Sequence, residues 1–242
     1  MYHFFAEHEN IHDSYIDIVG SDVNHIKNVL RFKEGDKLLI RSGDNVDYEC
    51  SIASMSDEYI RADILSKDEQ GKELPSRIIL FQGLPKADKM ELVIQKCIEI
   101  GVDRIVPVKT EHAVVKLEGK EEKKLQRWNK IAESAAKQCG RGKIPVVDRL
   151  MTFKEAINEA TSLDGAIIPY EKEKENSLKT FAKNFKGKSI GIFIGPEGGF
   201  SEEEISFAIE NGVKSVTLGK RILRTETAGL VASVILLYEL ED

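Results

Sequence analysis

The hydrophobic pattern of this chain changes character near residues 70–76, and that change divides what it can fold into. Before it, residues 15–18, 37–41, 46–52 and 59–64 are short β-prone runs between Gly, Asp, Asn and Ser turns. Short antiparallel elements of this kind need closure or a covering layer, which predicts a small β-barrel over residues 1–72. After it, apolar runs at 77–81, 104–108, 165–168, 189–194 and 215–218 alternate with helical periods near 87–100, 121–139, 152–160, 176–184, 202–210 and 225–240. That alternation predicts an α/β domain with a mainly parallel sheet over residues 76–242. The segment between them, residues 67–75, is polar, contains Gly71 and Pro75 and has no apolar period, as a linker does.

Charge follows the same boundary. Residues 1–75 hold 8 Lys and Arg against 16 Asp and Glu, whereas residues 76–242 hold 27 against 25. The net charge of -6 argues against a large, indiscriminate nucleic-acid surface and leaves room for local ones. No apolar run approaches the length that spans a bilayer, and the first residues lack the basic region of an export signal, so a cytoplasmic protein away from membranes is expected. Cys50, Cys97 and Cys139 are far apart and read as small core residues. His3, His8, His12, His25 and His112 form no ligand cluster with them, so no metal is expected.

Two segments near the end carry the chemistry. In Gly195-Pro196-Glu197-Gly198-Gly199-Phe200, the glycines permit close backbone approach or positive φ, and Ser201 with Glu204 forms a capping box for the next helix. A tight turn needs the same residues, but three glycines around Glu197 exceed what a turn requires. The segment lacks the Lys-Ser/Thr end of a phosphate-binding loop, and no Gly-x-Gly-x-x-Gly follows the first parallel strand, which disfavours nucleotide phosphates. In the second segment, 218–228, Ile222 and Leu223 either cover an apolar ligand surface or plug the core. Arg224 and Glu226 need partners if buried, in a salt bridge or on a polar substrate. Thr225 is placed to cap the last helix, whose Leu230, Val234 and Leu237 form one apolar face and Val231, Ile235 and Tyr238 another; burial in the core or against a second subunit is expected.

Two further groups are basic. On the helix near 121–139, Arg127, Lys130, Ser134, Lys137 and Arg141 follow three- and four-residue spacing, opposite Leu125, Trp128, Ala132, Ala135 and Cys139. The line is either a solvated face or a row that neutralises RNA phosphates, extended by Lys86, Lys89 and Lys96. In the first domain a short helix is predicted from Asp22 to Leu30, capped by Ser21, with Val23, Ile26, Val29 and Leu30 inward. His25 and Arg31 bracket it, packing at the barrel mouth or facing a substrate.

Taken together, Gly195 to Ser201 and Leu218-Gly219-x-x-Ile222-Leu223-Arg224-x-Glu226-Thr227-Ala228 closely resemble the bacterial RsmE family, which methylates N3 of a uridine in small-subunit ribosomal RNA. His25-Ile26-Lys27-Asn28-Val29-Leu30-Arg31, residues 96–102, Arg127-Trp128 and Gln138-Cys139-Gly140-Arg141 resemble its other motifs, so the likeness covers nearly the whole chain. The resemblance implies a PUA-like N-terminal β-barrel that assists RNA binding and a C-terminal SPOUT α/β-knot methyltransferase domain. It also implies a homodimer acting on 16S ribosomal RNA within the small ribosomal subunit. The implied cofactor is S-adenosylmethionine, held by Ile194, Gly195, Glu197, Gly198, Gly199, Leu218, Gly219, Ile222, Leu223 and Arg224. Arg141 and Arg224 are then candidates for orienting RNA or stabilising a uracil anion, and Glu197 or Glu226 for accepting a proton or ordering an arginine. His25, Arg31, Lys86, Lys89, Arg127, Lys130, Lys137 and Arg141 are the implied RNA contacts. A noncatalytic RNA-binding or ribosome-assembly protein is the other class this sequence fits.

Overall fold

The computed structural model describes residues 2–43, 45–69, 73–115, 117 and 119–240, so Gln70, Gly71 and Lys72 of the expected linker lie outside the described residues. The chain forms two compact units, residues 1–73 with 136–144 and residues 74–135 with 145–242.

The first unit contains β1 (His3–Phe5), β2 (Tyr15–Val19), α1 (Ser21–Asn24), β3 (Lys37–Arg41), β4 (Asp47–Met55) and β5 (Tyr59–Asp68). The strands form one sheet in the order β1-β3-β4-β5-β2, antiparallel except where β1 runs parallel to β3. Alternate residues point inward: Ile16 and Ile18, Leu38 and Ile40, Ile60 and Ala62 are buried in a core that all five strands share. This is the small β-unit expected, with β1 added; three residues are too few to show a period.

The short helix departs from its reading. Gly20 occupies the cap position and no side chain caps, while Ser21 is the first helical residue. After α1 the backbone widens into a π turn over His25–Val29, with Leu30 N–H donating to His25 C=O at 2.9 Å. The wider turn shifts the side-chain phase, so Val23 and Ile26 stay buried but Val29 is 61% exposed.

The second unit contains β6 (Arg77–Gly83), α2 (Lys89–Glu99), β7 (Arg104–Lys109), α3 (Glu121–Cys139), β8 (Val146–Val147), β9 (Met151–Thr152), α4 (Phe153–Ala160), β10 (Gly165–Pro169), α5 (Leu178–Asn184), β11 (Ser189–Ile194), α6 (Glu202–Glu210), β12 (Lys214–Val216) and α7 (Thr225–Leu240). The four C-terminal residues of α3 belong to the first unit. The sheet runs β12-β10-β11-β6-β7-β8, with β9 also on β7, and every pairing is parallel. Its strands are apolar on both faces, as helices on both sides require. Phe81 and Phe193 stack at 4.5 Å between ring centres and share a core with Phe153 and Ile157 of α4 and Ile205 and Ala208 of α6. Leu80, of opposite parity, meets Gly229 of α7.

Helix α7 is amphipathic in a way its uniformly apolar sequence hides. Its buried residues are Thr225, Gly229, Ala232, Ser233, Leu236 and Leu237, whereas Val234 and Tyr238 are 47% and 73% exposed. Gly229, Ala232 and Ser233, with Leu236 and Leu237, face inward where the helix meets β6 and β11, and Val234 and Tyr238 are turned outward. Cys50 and Cys97 are buried core residues, and burial pushes both thiols up to about 12. Cys139 is instead exposed, because the apolar stripe of Trp128, Ala132 and Ala135 runs out at the end of α3.

The expected basic line on α3 is broken up by carboxylates. Arg127 Nη2 donates to Glu91 Oε2 at 2.7 Å, and Lys137 Nζ lies 3.2 Å from Asp22 Oδ2. Arg141, 7% exposed, donates from Nε and Nη2 to Glu73 at 2.8 and 2.5 Å, and Glu73 also accepts the Gly142 N–H. Removing one partner of such a buried pair leaves an uncompensated charge. Arg141→Ala should therefore cost about 3–5 kcal/mol of stability in the first unit, read by urea unfolding. An unchanged unfolding midpoint would show that Glu73 does not depend on Arg141.

Candidate active site

Neighbouring strands of the second sheet bring their carboxyl ends together. Pro169 of β10 pairs with Val216 of β12, Ile167 with Ile192 of β11, and Ile194 with Gln82 of β6. The segments leaving these ends, 169–171, 194–200 and 217–223, wall a cavity of about 320 Å³, completed by Thr225 and Ala228 of α7. Ligands of open α/β sheets bind beyond carboxyl strand ends, and this volume suits a small molecule. Ile194, Gly195, Glu197, Gly198, Gly199, Leu218, Gly219, Ile222 and Leu223 all line the cavity. Arg224 does not: its side chain is exposed and makes no hydrogen bond or ion pair among the described residues.

Loop 195–200 is held from several sides. Gly199, at φ 68°, lets its N–H turn back to Pro196 C=O at 2.9 Å. A Cβ on Gly83 would lie 2.7 Å from Pro196 Cδ, so the end of β6 must be bare for the loop to pass. Ser201 and Glu204 form the expected capping box, and Glu204 also accepts the Glu111 N–H at 2.9 Å. His112 Nδ1 lies 3.0 Å from Gly198 C=O. Thr225 is not a cap. It is the first residue of α7, and its Oγ1 donates to Gly195 C=O at 2.6 Å while accepting from Gln82 Nε2 at 2.8 Å. Gln82, fully buried, is a site-building residue that the sequence reading missed. Its signal was a single amide after four apolar residues of β6.

The acidic candidates converge on one lysine. Lys89 Nζ lies 2.9 Å from Glu197 Oε1 and 3.5 Å from Glu226 Oε2, and Glu197 also accepts the Lys86 N–H at 3.2 Å. Burial, the largest influence, raises the Glu197 value, but Lys89 and the Lys86 N–H together outweigh it and hold the carboxyl below the carboxylate range. Glu197, through its hydrogen bond, conversely raises Lys89. Of the two roles the sequence left open for Glu197, accepting a proton or ordering an arginine, neither is seen; its carboxylate is paired with a lysine.

Of the remaining expected RNA contacts, Lys86 and Lys130 have exposed side chains without a hydrogen bond or ion pair among the described residues, whereas Lys89, Arg127, Lys137 and Arg141 are paired as above. His25 is exposed with its ring edge-on to Phe4 at 6.3 Å. Arg31 is exposed at φ 58°, a left-handed conformation that costs a non-glycine residue roughly 1–2 kcal/mol.

An α/β unit with a glycine-built pocket at the carboxyl ends of its strands, in a chain that also carries a small β-unit, defines a class that comparison makes explicit. Residues 72–237 match the family model described as an RNA methyltransferase domain, and residues 18–65 match that of an RNA methyltransferase PUA domain. The ribosomal RNA small subunit methyltransferase E of Bacillus subtilis is 36% identical over 230 residues, covering 93% of this chain and 90% of the relative. The protein of that name from Mesomycoplasma hyopneumoniae is 33% identical over 231 residues, covering 95% and 96%. Among solved structures, the Neisseria gonorrhoeae ribosomal RNA small subunit methyltransferase E bound to S-adenosyl methionine superposes with a TM-score of 0.85 at 32% identity, covering 96% of this chain and 95% of that one. The chain belongs to the ribosomal RNA small subunit methyltransferase E family.

The lysine clamp sets a pH dependence. Glu197 titrates below its ordinary 4.5 in the folded chain, so its ionised form adds stability that is complete above 4.5 and is lost as pH falls through the lowered value. Hydrogen exchange of the Gly199 amide, bonded to Pro196 C=O, should therefore accelerate in acid below that point once corrected for the intrinsic pH dependence of amide exchange. Lys89→Met should accelerate it already at neutral pH; exchange equal to wild type would remove Lys89 from the support of the loop.

Proposed function

We propose that this chain transfers a methyl group from S-adenosylmethionine to N3 of a uridine in 16S ribosomal RNA, acting in the cytoplasm as a homodimer on the small ribosomal subunit. The observation that carries the reading is the cavity walled by 169–171, 194–200 and 217–223, in a chain whose relatives are named for methylating small-subunit ribosomal RNA. The lining fits the cofactor chemically. Ile194, Leu218, Leu223 and Ala228 offer apolar surface for a purine and carbon chain, and the backbone of 195–199 and 219 offers polar groups at close range. When bound, S-adenosylmethionine supplies an electrophilic methyl carried on a sulfonium.

The residues then divide the work. Uridine N3 becomes nucleophilic as its proton passes to solvent water, and Arg224, an exposed guanidinium with no partner among the described residues, stabilises the negative charge that develops on the uracil ring. Glu197 and Glu226 hold Lys89 and through it the loop. Extrusion of the base from its stack brings N3 to the methyl group in line with the departing sulfur. Residues 76–242 are the methyltransferase domain and residues 1–72 its RNA-binding accessory, with His25 and Arg31 as contacts there and Lys86 and Lys130 in the second unit. Arg141 serves the fold through Glu73. Val234 and Tyr238 on α7, with the 44% exposed Leu92 on α2, form the apolar surface a second copy covers.

Incubation of hypomethylated small subunits with labelled S-adenosylmethionine, followed by nucleoside analysis, should yield 3-methyluridine. No transfer would leave the noncatalytic ribosome-assembly reading, and label on another nucleoside would reject the substrate. Arg224→Ala should lower the transfer rate at least a hundredfold without shifting thermal unfolding; undiminished turnover would take it out of the active site. Sedimentation equilibrium should give twice the chain mass for wild type and the chain mass for Val234→Asp/Tyr238→Asp, whereas a dimeric double variant would place the interface elsewhere.

A further inference from the structure

Several cations around the second sheet are used by the fold: Lys89 is held by Glu197 and Glu226, Arg127 by Glu91, Arg104 by Asp148 and Glu159, and Arg77 by Asp103. Lys220 and Arg221 are not. Both line the pocket, both are exposed, and neither makes a side-chain hydrogen bond or ion pair among the described residues. They stand on a projecting tip whose flanks, Leu218 and Leu223, are half-buried and whose neighbour Ile222 is 87% exposed.

We infer that Lys220 and Arg221 grip the RNA phosphates flanking the nucleotide that enters the pocket. The inference rests on the ribosomal RNA reading above and names the residues through which the RNA is seated at the site. A nucleotide reaches a cavity only if its backbone lies across the mouth, and the tip sets two long cationic side chains there. A lysine point charge and an arginine fork both suit phosphate oxygens. Because neither is engaged by a carboxylate, phosphate binding costs no broken ion pair. The carboxylates lining the same cavity are Glu197, which is engaged by Lys89, and Glu171, which is exposed and unpaired. Lys220 and Arg221 outnumber Glu171, so the mouth attracts a polyanion.

The test is binding of an unmodified full-length 16S ribosomal RNA transcript across a salt series, with cofactor affinity by calorimetry and mass by sedimentation. Lys220→Ala/Arg221→Ala should weaken RNA binding tenfold or more and reduce the slope of log K against log salt by about 1.4, for two single-strand phosphate contacts. Its Kd for S-adenosylmethionine should move less than twofold, and its melting temperature should stay within a degree or two of wild type. Lys220→Arg/Arg221→Lys should keep the wild-type slope. An unchanged slope and affinity in the alanine variant would overturn the proposal. Loss of cofactor affinity at unchanged slope would assign the pair to the cofactor, and loss of the dimer would assign the tip to a subunit interface; either also overturns it. Wild-type protein that binds the transcript but never methylates small subunits would reject the proposed reaction while leaving the phosphate assignment to the slope.

Discussion

The pocket depends on one buried, uncharged chain of hydrogen bonds from Gln82 through Thr225 to Gly195. It joins the end of β6, the first turn of α7 and the loop after β11, three segments far apart in sequence. Each bond is modest, but a buried donor or acceptor left without its partner costs about 1–3 kcal/mol, so the three segments hold or fail together. Parallel register brings the strand ends to one edge; this chain fixes what leaves them. Lys89 adds an outer tie of opposite character, charged, partly exposed and sensitive to acid.

The distribution of paired and unpaired cations separates architecture from recognition. Some cations are tied into the fold by carboxylates and others are left exposed. Arg41 and Arg141, both buried, pair with Asp47 and Glu73 and tie strand ends and the loop after α3 within the first unit. Lys220 and Arg221 are among the cations without an ion pair among the described residues, and they are the ones that line the cavity. They keep their charge exposed at the point where the proposed substrate is a polyanion.

Much of this was legible in the sequence because it rests on local rules. The change of period located the two architectures, and the six helices of the second domain were readable from their apolar spacing. The Ser201–Glu204 box was readable because capping is decided within four residues. Nine of the ten expected cofactor residues line one cavity, since motif and strand end coincide. What escaped depends on long-range contact. Thr225 reads as a cap until Gln82 and Gly195 are brought beside it, and Arg141 reads as a substrate contact until Glu73 closes on it. The π turn at His25–Val29 inverted the expected direction of Val29, a change of phase that a fixed helical period cannot anticipate. On α7, apolar residues all around the helix concealed that the small ones face the sheet.

Calorimetric titration of S-adenosylmethionine into the wild-type chain and into Thr225→Val tests most directly that this hydrogen-bonded chain builds the cofactor pocket. One site per chain in the wild type, weakened at least tenfold in a Thr225→Val protein that remains folded by circular dichroism, is the expected result. No wild-type binding, or equal affinity in the folded variant, would contradict it.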